Sequence, residues 1–303
     1  MNQYTHGGNV ESFAKQLACD INEVIDLSSN INFIKPQINV DFNVLDISAY
    51  PSYKKLYETI ASNYKVEVNQ CELFNGGSSA IFSLFKHLEL KHCTLYSPAY
   101  LEYKKAATLF SYKISHINRL NIIEQMVDEN SFVIFVNPST PDGQLYDINI
   151  LMEYWMGQNC TILVDESFLD FTNGESMIKY IKEYDKLYIL KSMTKFYSSA
   201  GIRIGTLISN ENNILALKRN EPLWKLSHFD ATYLQEALKD KNFRSISKSI
   251  NAKNSIFLDR ILRESSLFSK VFETNANFML AQLKNMTATQ LQEKLLPYKI
   301  LIR

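Results

Sequence analysis

The chain has 303 residues, 46% hydrophobic and 21% charged, a globular composition unlike that of a disordered segment and enough for one large α/β domain with a smaller appendage. Its 32 basic residues balance 32 acidic ones, which excludes the basic footprint of a nucleic-acid binder, so any anion must be held by local groups. Cys19, Cys71, Cys93 and Cys160 form no C-x-x-C and no metal-ligand spacing, so free thiols in a reducing compartment are expected. Residues 1–14 lack the basic stretch and apolar run of a signal peptide, and no window reaches the roughly 18 apolar residues of a membrane span. A cytoplasmic protein with neither membrane nor nucleic-acid partners is expected.

The first forty residues read as an arm, with a short helix over 10–17 and an irregular stretch over 28–36. From about residue 55 to 210, apolar runs at 71–74, 93–96, 112–115, 132–136, 161–164, 187–190 and 205–208 alternate with helix-patterned stretches such as 78–88, 101–109 and 148–155. Each run is strand-length and ends in polar or Gly/Pro punctuation. The alternation predicts an α/β fold, a three-layer, mostly parallel seven-stranded sheet covered on both faces. In such sheets ligands gather at the carboxyl ends of the strands. After residue 210 a long helix over 242–263, a strand over 277–283, a helix over 289–295 and a terminal strand over 298–303 predict a smaller α+β unit. The expected division is therefore 1–40, 41–210 and 211–303.

Chemistry concentrates at the ends of the runs. Ser192-Met193-Thr194-Lys195-Phe196-Tyr197 is followed by Gly201-Ile202-Arg203-Ile204-Gly205. A strand-end lysine whose pKa is lowered by its surroundings can condense with an aldehyde, and a hydroxyl and an arginine nearby can clamp a phosphate. The bland alternative for Lys195 is an exposed loop residue. Asp165 closes the apolar run Thr161-Ile162-Leu163-Val164, where a carboxylate is costly unless paired, for instance with a protonated ring nitrogen; a helix N-cap would also explain it. Phe74-Asn75-Gly76-Gly77-Ser78-Ser79 places two glycines before a helix, either an ordinary turn or an anion cradle of free N–H groups. Ser97-Pro98-Ala99-Tyr100 follows another run, with Tyr100 either an aromatic platform or core packing.

Together these segments resemble fold-type I pyridoxal-phosphate (PLP) enzymes of the histidinol-phosphate aminotransferase group, and most closely its threonine-phosphate decarboxylase branch. The resemblance implies PLP as cofactor, bound as a Schiff base to Lys195. It implies Asp165 at the pyridine nitrogen, Tyr100 stacked on the ring, and Gly77, Ser78, Ser192 and Arg203 on the phosphate. Tyr50 would be lent to the phosphate site of a neighbouring subunit, making a homodimer. His6, in His6-Gly7-Gly8, together with Asn32 and the terminal Arg303, would face a small, phosphorylated amino-acid substrate.

Departures from the family are specific. Where the family has Asn-Asn-Pro-Thr-Gly, this chain has Ser139-Thr140-Pro141-Asp142-Gly143, so Thr140 replaces the Asn that bonds the cofactor's phenolic oxygen. Phe168 stands where the aminotransferases have a tyrosine, as in the decarboxylase branch. The family continues past the motif ending at Arg303 to an arginine that grips the substrate carboxylate, so the sequence is expected to be truncated or to lack that clamp. The expected activity is decarboxylation of the threonine-phosphate type. Three alternatives stand beside it: a histidinol-phosphate-type aminotransferase, a PLP-fold binder without turnover, and an S-x-x-K serine acylase with Ser192 as nucleophile. The last finds no Lys-Thr-Gly to support it.

Overall fold

The computed structural model describes residues 8–303. Eleven strands are found among them: β1 (Ile25–Asp26), β2 (Cys71–Asn75), β3 (His92–Ser97), β4 (Lys113–Asn118), β5 (Phe132–Val136), β6 (Thr161–Asp165), β7 (Leu187–Ser192), β8 (Ile204–Ile208), β9 (Phe268–Val271), β10 (Ala281–Leu283) and β11 (Ile300–Leu301). The α-helices are α1 (Val10–Leu17), α2 (Lys54–Tyr64), α3 (Gly76–Leu88), α4 (Leu101–Leu109), α5 (Asn149–Gly157), α6 (Met193–Phe196), α7 (Glu211–Lys218), α8 (His228–Lys239), α9 (Phe243–Glu264) and α10 (Ala288–Leu295).

Seven strands form the central sheet in the order β2-β8-β7-β6-β5-β3-β4. All pairings are parallel except those of β8, which runs antiparallel to both β2 and β7. The expected mostly parallel sheet is therefore present. β5 and β6 are buried along their whole length, as continuous apolar runs between two helical layers must be. Alternate residues of β5 feed opposite faces: Phe132, Ile134 and Val136 join one core cluster, and Val133 and Phe135 the other. Trp155 of α5 is fully buried in the second, its indole N–H donating to the Tyr96 hydroxyl at 3.1 Å.

The topology decides which residues meet. Because β8 alone is reversed, the carboxyl ends of β2, β3, β5, β6 and β7 and the amino end of β8 lie along one edge of the sheet. That edge receives Gly76, Tyr100, Thr140, Asp165, Lys195 and Arg203 from six different segments.

Two expected strands are shorter than their patterns suggest. The one expected over 277–283 is confined to β10, because Asn277 spends its side-chain amide on the Asn30 carbonyl at 3.0 Å and Thr274 its hydroxyl on the Phe278 carbonyl at 2.8 Å. The terminal strand is reduced to β11, which pairs in parallel with β1 and so ties the end of the chain to its beginning.

Candidate active site

The glycine pair after β2 is shaped by close approach. Gly76 has φ +77°, and a Cβ there would lie 2.5 Å from Nη2 of Arg203. A Cβ on Gly205, the partner of Phe74 across the β2–β8 ladder, would lie 2.7 Å from the Gly77 nitrogen. Without side chains at 76 and 205, the start of α3 can settle against β8 with the Arg203 guanidinium over it. Gly77 faces Ser192, whose Cβ lies 3.3 Å from the position a Cβ of Gly77 would take. Free N–H groups of the first turn of a 13-residue helix, the Ser78 and Ser192 hydroxyls and Arg203 thus surround one spot. Arg203 anchors one arm on the Ala200 carbonyl at 3.0 Å. This donor set suits a phosphate.

Lys195 lies in α6, one turn beyond β7, half-buried, with Nζ 3.2 Å from the Thr194 hydroxyl. Burial pushes its pKa below the ordinary lysine value; the Asp165 carboxylate partly offsets this and the Arg203 charge adds to it. An amine so placed is more often neutral, hence nucleophilic, than a surface lysine. Asp165, buried at the end of β6, accepts from the Ser167 N–H at 2.9 Å and from the Ser167 hydroxyl on Oδ1, and from the Tyr103 hydroxyl at 2.5 Å on Oδ2. It closes a two-residue side-chain turn rather than capping a helix. Tyr100 precedes α4, is 40% exposed, and has its hydroxyl 3.2 Å from that of Ser78. An exposed face and a bond to the cradle fit a platform better than core packing.

Other expected residues are placed differently. Asn32 was expected to face substrate, and here the structure corrects the reading. Its side chain is 1% exposed and committed internally, donating to the Phe196 carbonyl at 2.8 Å and Ser247 at 2.5 Å and accepting from Asn251 at 3.1 Å. Its backbone N–H meets the Lys195 carbonyl at 3.0 Å, so it braces the lysine loop; a buried amide must satisfy its polar atoms locally. Tyr50 is exposed, stacked on Trp224 at 4.0 Å between centroids. Arg303 is exposed beyond β11. Thr140 is half-buried, its carbonyl held by Arg119. His6 lies outside the described residues.

Three features escaped sequence reading. Tyr103, three residues after Tyr100, reaches Asp165. Arg119 and Asp142 form a buried ion pair at 3.1 Å, and Arg119 also donates to the carbonyls of Tyr96, Pro98 and Thr140, joining the loops after β3 and β5. Glu166 and Lys191, the neighbours of Asp165 and Ser192, pair at 2.5 Å with both side chains 3% exposed or less. A charged residue directly beside an apolar strand was the available signal, but it does not name its partner. Among the described residues, no group of three or more His, Cys, Asp or Glu is placed to hold a metal, and no helix is long and apolar enough to cross a membrane.

Comparison with known proteins agrees with this geometry. The chain is 27% identical over its whole length to the adenosylcobalamin biosynthesis bifunctional protein CobDQ of Leptospira interrogans, of which it spans 37%. It is 24% identical to the threonine-phosphate decarboxylase of Salmonella typhimurium, over 98% of this chain and 87% of that one. The crystal structure of histidinol-phosphate aminotransferase from Clostridium acetobutylicum superposes with a TM-score of 0.80 at 28% identity, covering 92% of this chain and 89% of that one. Residues 26–303 match the model of the class I and II aminotransferases, whose cofactor, pyridoxal 5'-phosphate, requires the three things assembled here: an amine, a carboxylate and an anion cradle. The chain belongs to the aminotransferase class I and II family and is a PLP-dependent enzyme.

Proposed function

We propose that the chain acts on a small phosphorylated amino acid and that its reaction is decarboxylation of the threonine-phosphate type. The observation that carries the reading is the convergence of Lys195 and Asp165 beside the cradle of Gly76, Gly77, Ser192 and Arg203. Full-length similarity to the Salmonella decarboxylase supports the choice of substrate. Phe168, 4% exposed, puts a ring without a hydroxyl after β6, as in the decarboxylase branch.

When bound, PLP supplies an aldehyde that condenses with amines and a ring that takes up electrons released at a substrate's Cα. The chain supplies the rest. Gly77, Ser78, Ser192 and Arg203 bind the phosphate. Asp165 would hold a proton at the ring nitrogen, Tyr100 would lie against the ring face, and Thr140 would serve the phenolic oxygen. Lys195 would offer a neutral amine to the aldehyde and a base for moving a proton at a substrate's Cα. Tyr50 completes the phosphate site of a second copy in a homodimer; three-quarters of its surface is open for this role. His6 and Arg303 recognise the substrate, and residues 41–210 and 211–303 act as large and small domains.

Similarity to the Clostridium aminotransferase favours a second reading, transamination of a histidinol-phosphate type substrate. One assay separates the two. Incubation with O-phosphothreonine should release carbon dioxide without a keto acid, in wild type and not in Lys195→Ala. Transfer of the amino group of histidinol phosphate to an added 2-oxo acid, leaving the phosphorylated ketone and a new amino acid, would establish the second reading. A protein that fixes no cofactor on borohydride treatment would overturn both.

A further inference from the structure

Tyr103 touches both groups assigned to the cofactor ring. It stands three residues after Tyr100, in the first turn of α4, and is fully buried. Its ring packs edge-to-face against Tyr100, centroids 6.4 Å apart at 88°. Its hydroxyl donates to Oδ2 of Asp165 at 2.5 Å. A tyrosine used only to fill the core would not need a buried carboxylate for its hydroxyl.

The carboxylate's acceptor positions are largely taken. Each oxygen offers about two lone pairs. Oδ1 receives the N–H and the hydroxyl of Ser167, and Oδ2 receives Tyr103. One position on Oδ2 remains for a further donor. The charged and titratable groups facing Asp165 are Tyr103 from α4 and Lys195 from α6, with Arg203 behind Lys195 and Tyr100 behind Tyr103. Burial pushes the pKa of the Tyr103 phenol well above the ordinary tyrosine value and the Asp165 carboxylate adds to this, so the hydroxyl keeps its proton and donates it to Oδ2.

We propose that Tyr103 is a positioning residue that orients the free lone pair of Asp165, and so governs how firmly a proton is held at the ring nitrogen of the bound cofactor. The proposal rests on the assignment of Asp165 to that nitrogen. Without Tyr103's hydroxyl, the carboxylate is free to turn on its chain and would hold the proton at the ring nitrogen less firmly. A less protonated ring withdraws fewer electrons from the lysine-linked nitrogen, which then titrates at higher pH.

The test uses full-length holoenzyme and reads the pH midpoint of the bound cofactor's visible absorbance, together with the cofactor's dissociation constant and the melting temperature. Tyr103→Phe keeps the ring packing and should raise the midpoint by roughly one pH unit. Asp165→Asn should raise it further, and the double variant should match Asp165→Asn alone. 3-Fluorotyrosine at position 103, a more acidic donor of nearly the same shape, should lower the midpoint and so provides a readout if the Phe variant folds poorly. If Asp165→Asn moves the midpoint while neither change at 103 does, the proposal is wrong and the Asp165 assignment stands. If Asp165→Asn leaves the midpoint in place, the assignment fails and the proposal falls with it.

Discussion

Replacing Gly76 with alanine separates backbone strain from anion binding. At φ +77° a Cβ costs about 1–3 kcal/mol of backbone strain, which appears as lost stability. The same Cβ would sit 2.5 Å from Nη2 and 3.1 Å from Cζ of Arg203. Because those atoms end a flexible side chain, the guanidinium moves aside and the fold need not break. The cradle then loses a charge-assisted contact, about 1.5–3 kcal/mol. At about 1.4 kcal/mol per tenfold, this is a roughly 10- to 150-fold weaker hold on PLP. Gly157→Ala, at the end of α5, is the internal control: its φ is not positive, and a Cβ there would meet nothing within 4 Å. Urea denaturation of the cofactor-free proteins measures the first term, and fluorescence titration with PLP the second. Equal PLP affinities for the two variants would refute the placement of Arg203 over the cradle.

Lys195→Met should make the cofactor-free protein more stable at neutral pH. The folded-state pKa of Lys195 is lowered, so between that value and the ordinary lysine value of about 10.4 the unfolded chain binds more protons, and wild-type stability rises with pH there. The advantage of the variant should therefore shrink as pH rises through that window; parallel pH profiles in urea denaturation would count against it. Lys191→Met strands the buried Glu166 carboxylate and should cost about 3–5 kcal/mol. Calorimetry would show it as a large fall in Tm, while bound cofactor keeps its absorbance spectrum. Arg119→Met removes the donor shared by the Tyr96, Pro98 and Thr140 carbonyls and leaves Asp142 unpaired. It should lower both Tm and PLP affinity, because the two loops it joins carry Tyr100 and Thr140; an affinity within twofold of wild type would show that the loops hold themselves.

Much of the site was legible because its chemistry is local in sequence. Lys195 and Ser192 share one strand end, Asp165 closes an apolar run, and Gly76-Gly77 open a helix, so each could be read from its neighbours. What could not be read was which polar groups are already satisfied. Asn32 has the composition of a ligand-facing residue, yet Phe196, Ser247 and Asn251 occupy its amide from segments more than 160 residues away. Arg119 looked like a residue at the end of an unremarkable strand, because its four acceptors lie on two other segments, the end of β3 with the residue after it and the loop after β5.

The seven-stranded α/β architecture follows from the sequence alone, since hydrophobic periodicity and strand-end punctuation are properties of neighbouring residues. The convergence of Lys195, Asp165 and Arg203 depends on strand order and on the reversal of β8, which bring distant residues to one edge. The partners of Asp165, Glu166 and Arg119 are likewise decided by the tertiary structure, because a buried charge must be compensated by whatever the fold places beside it, however far away in the chain.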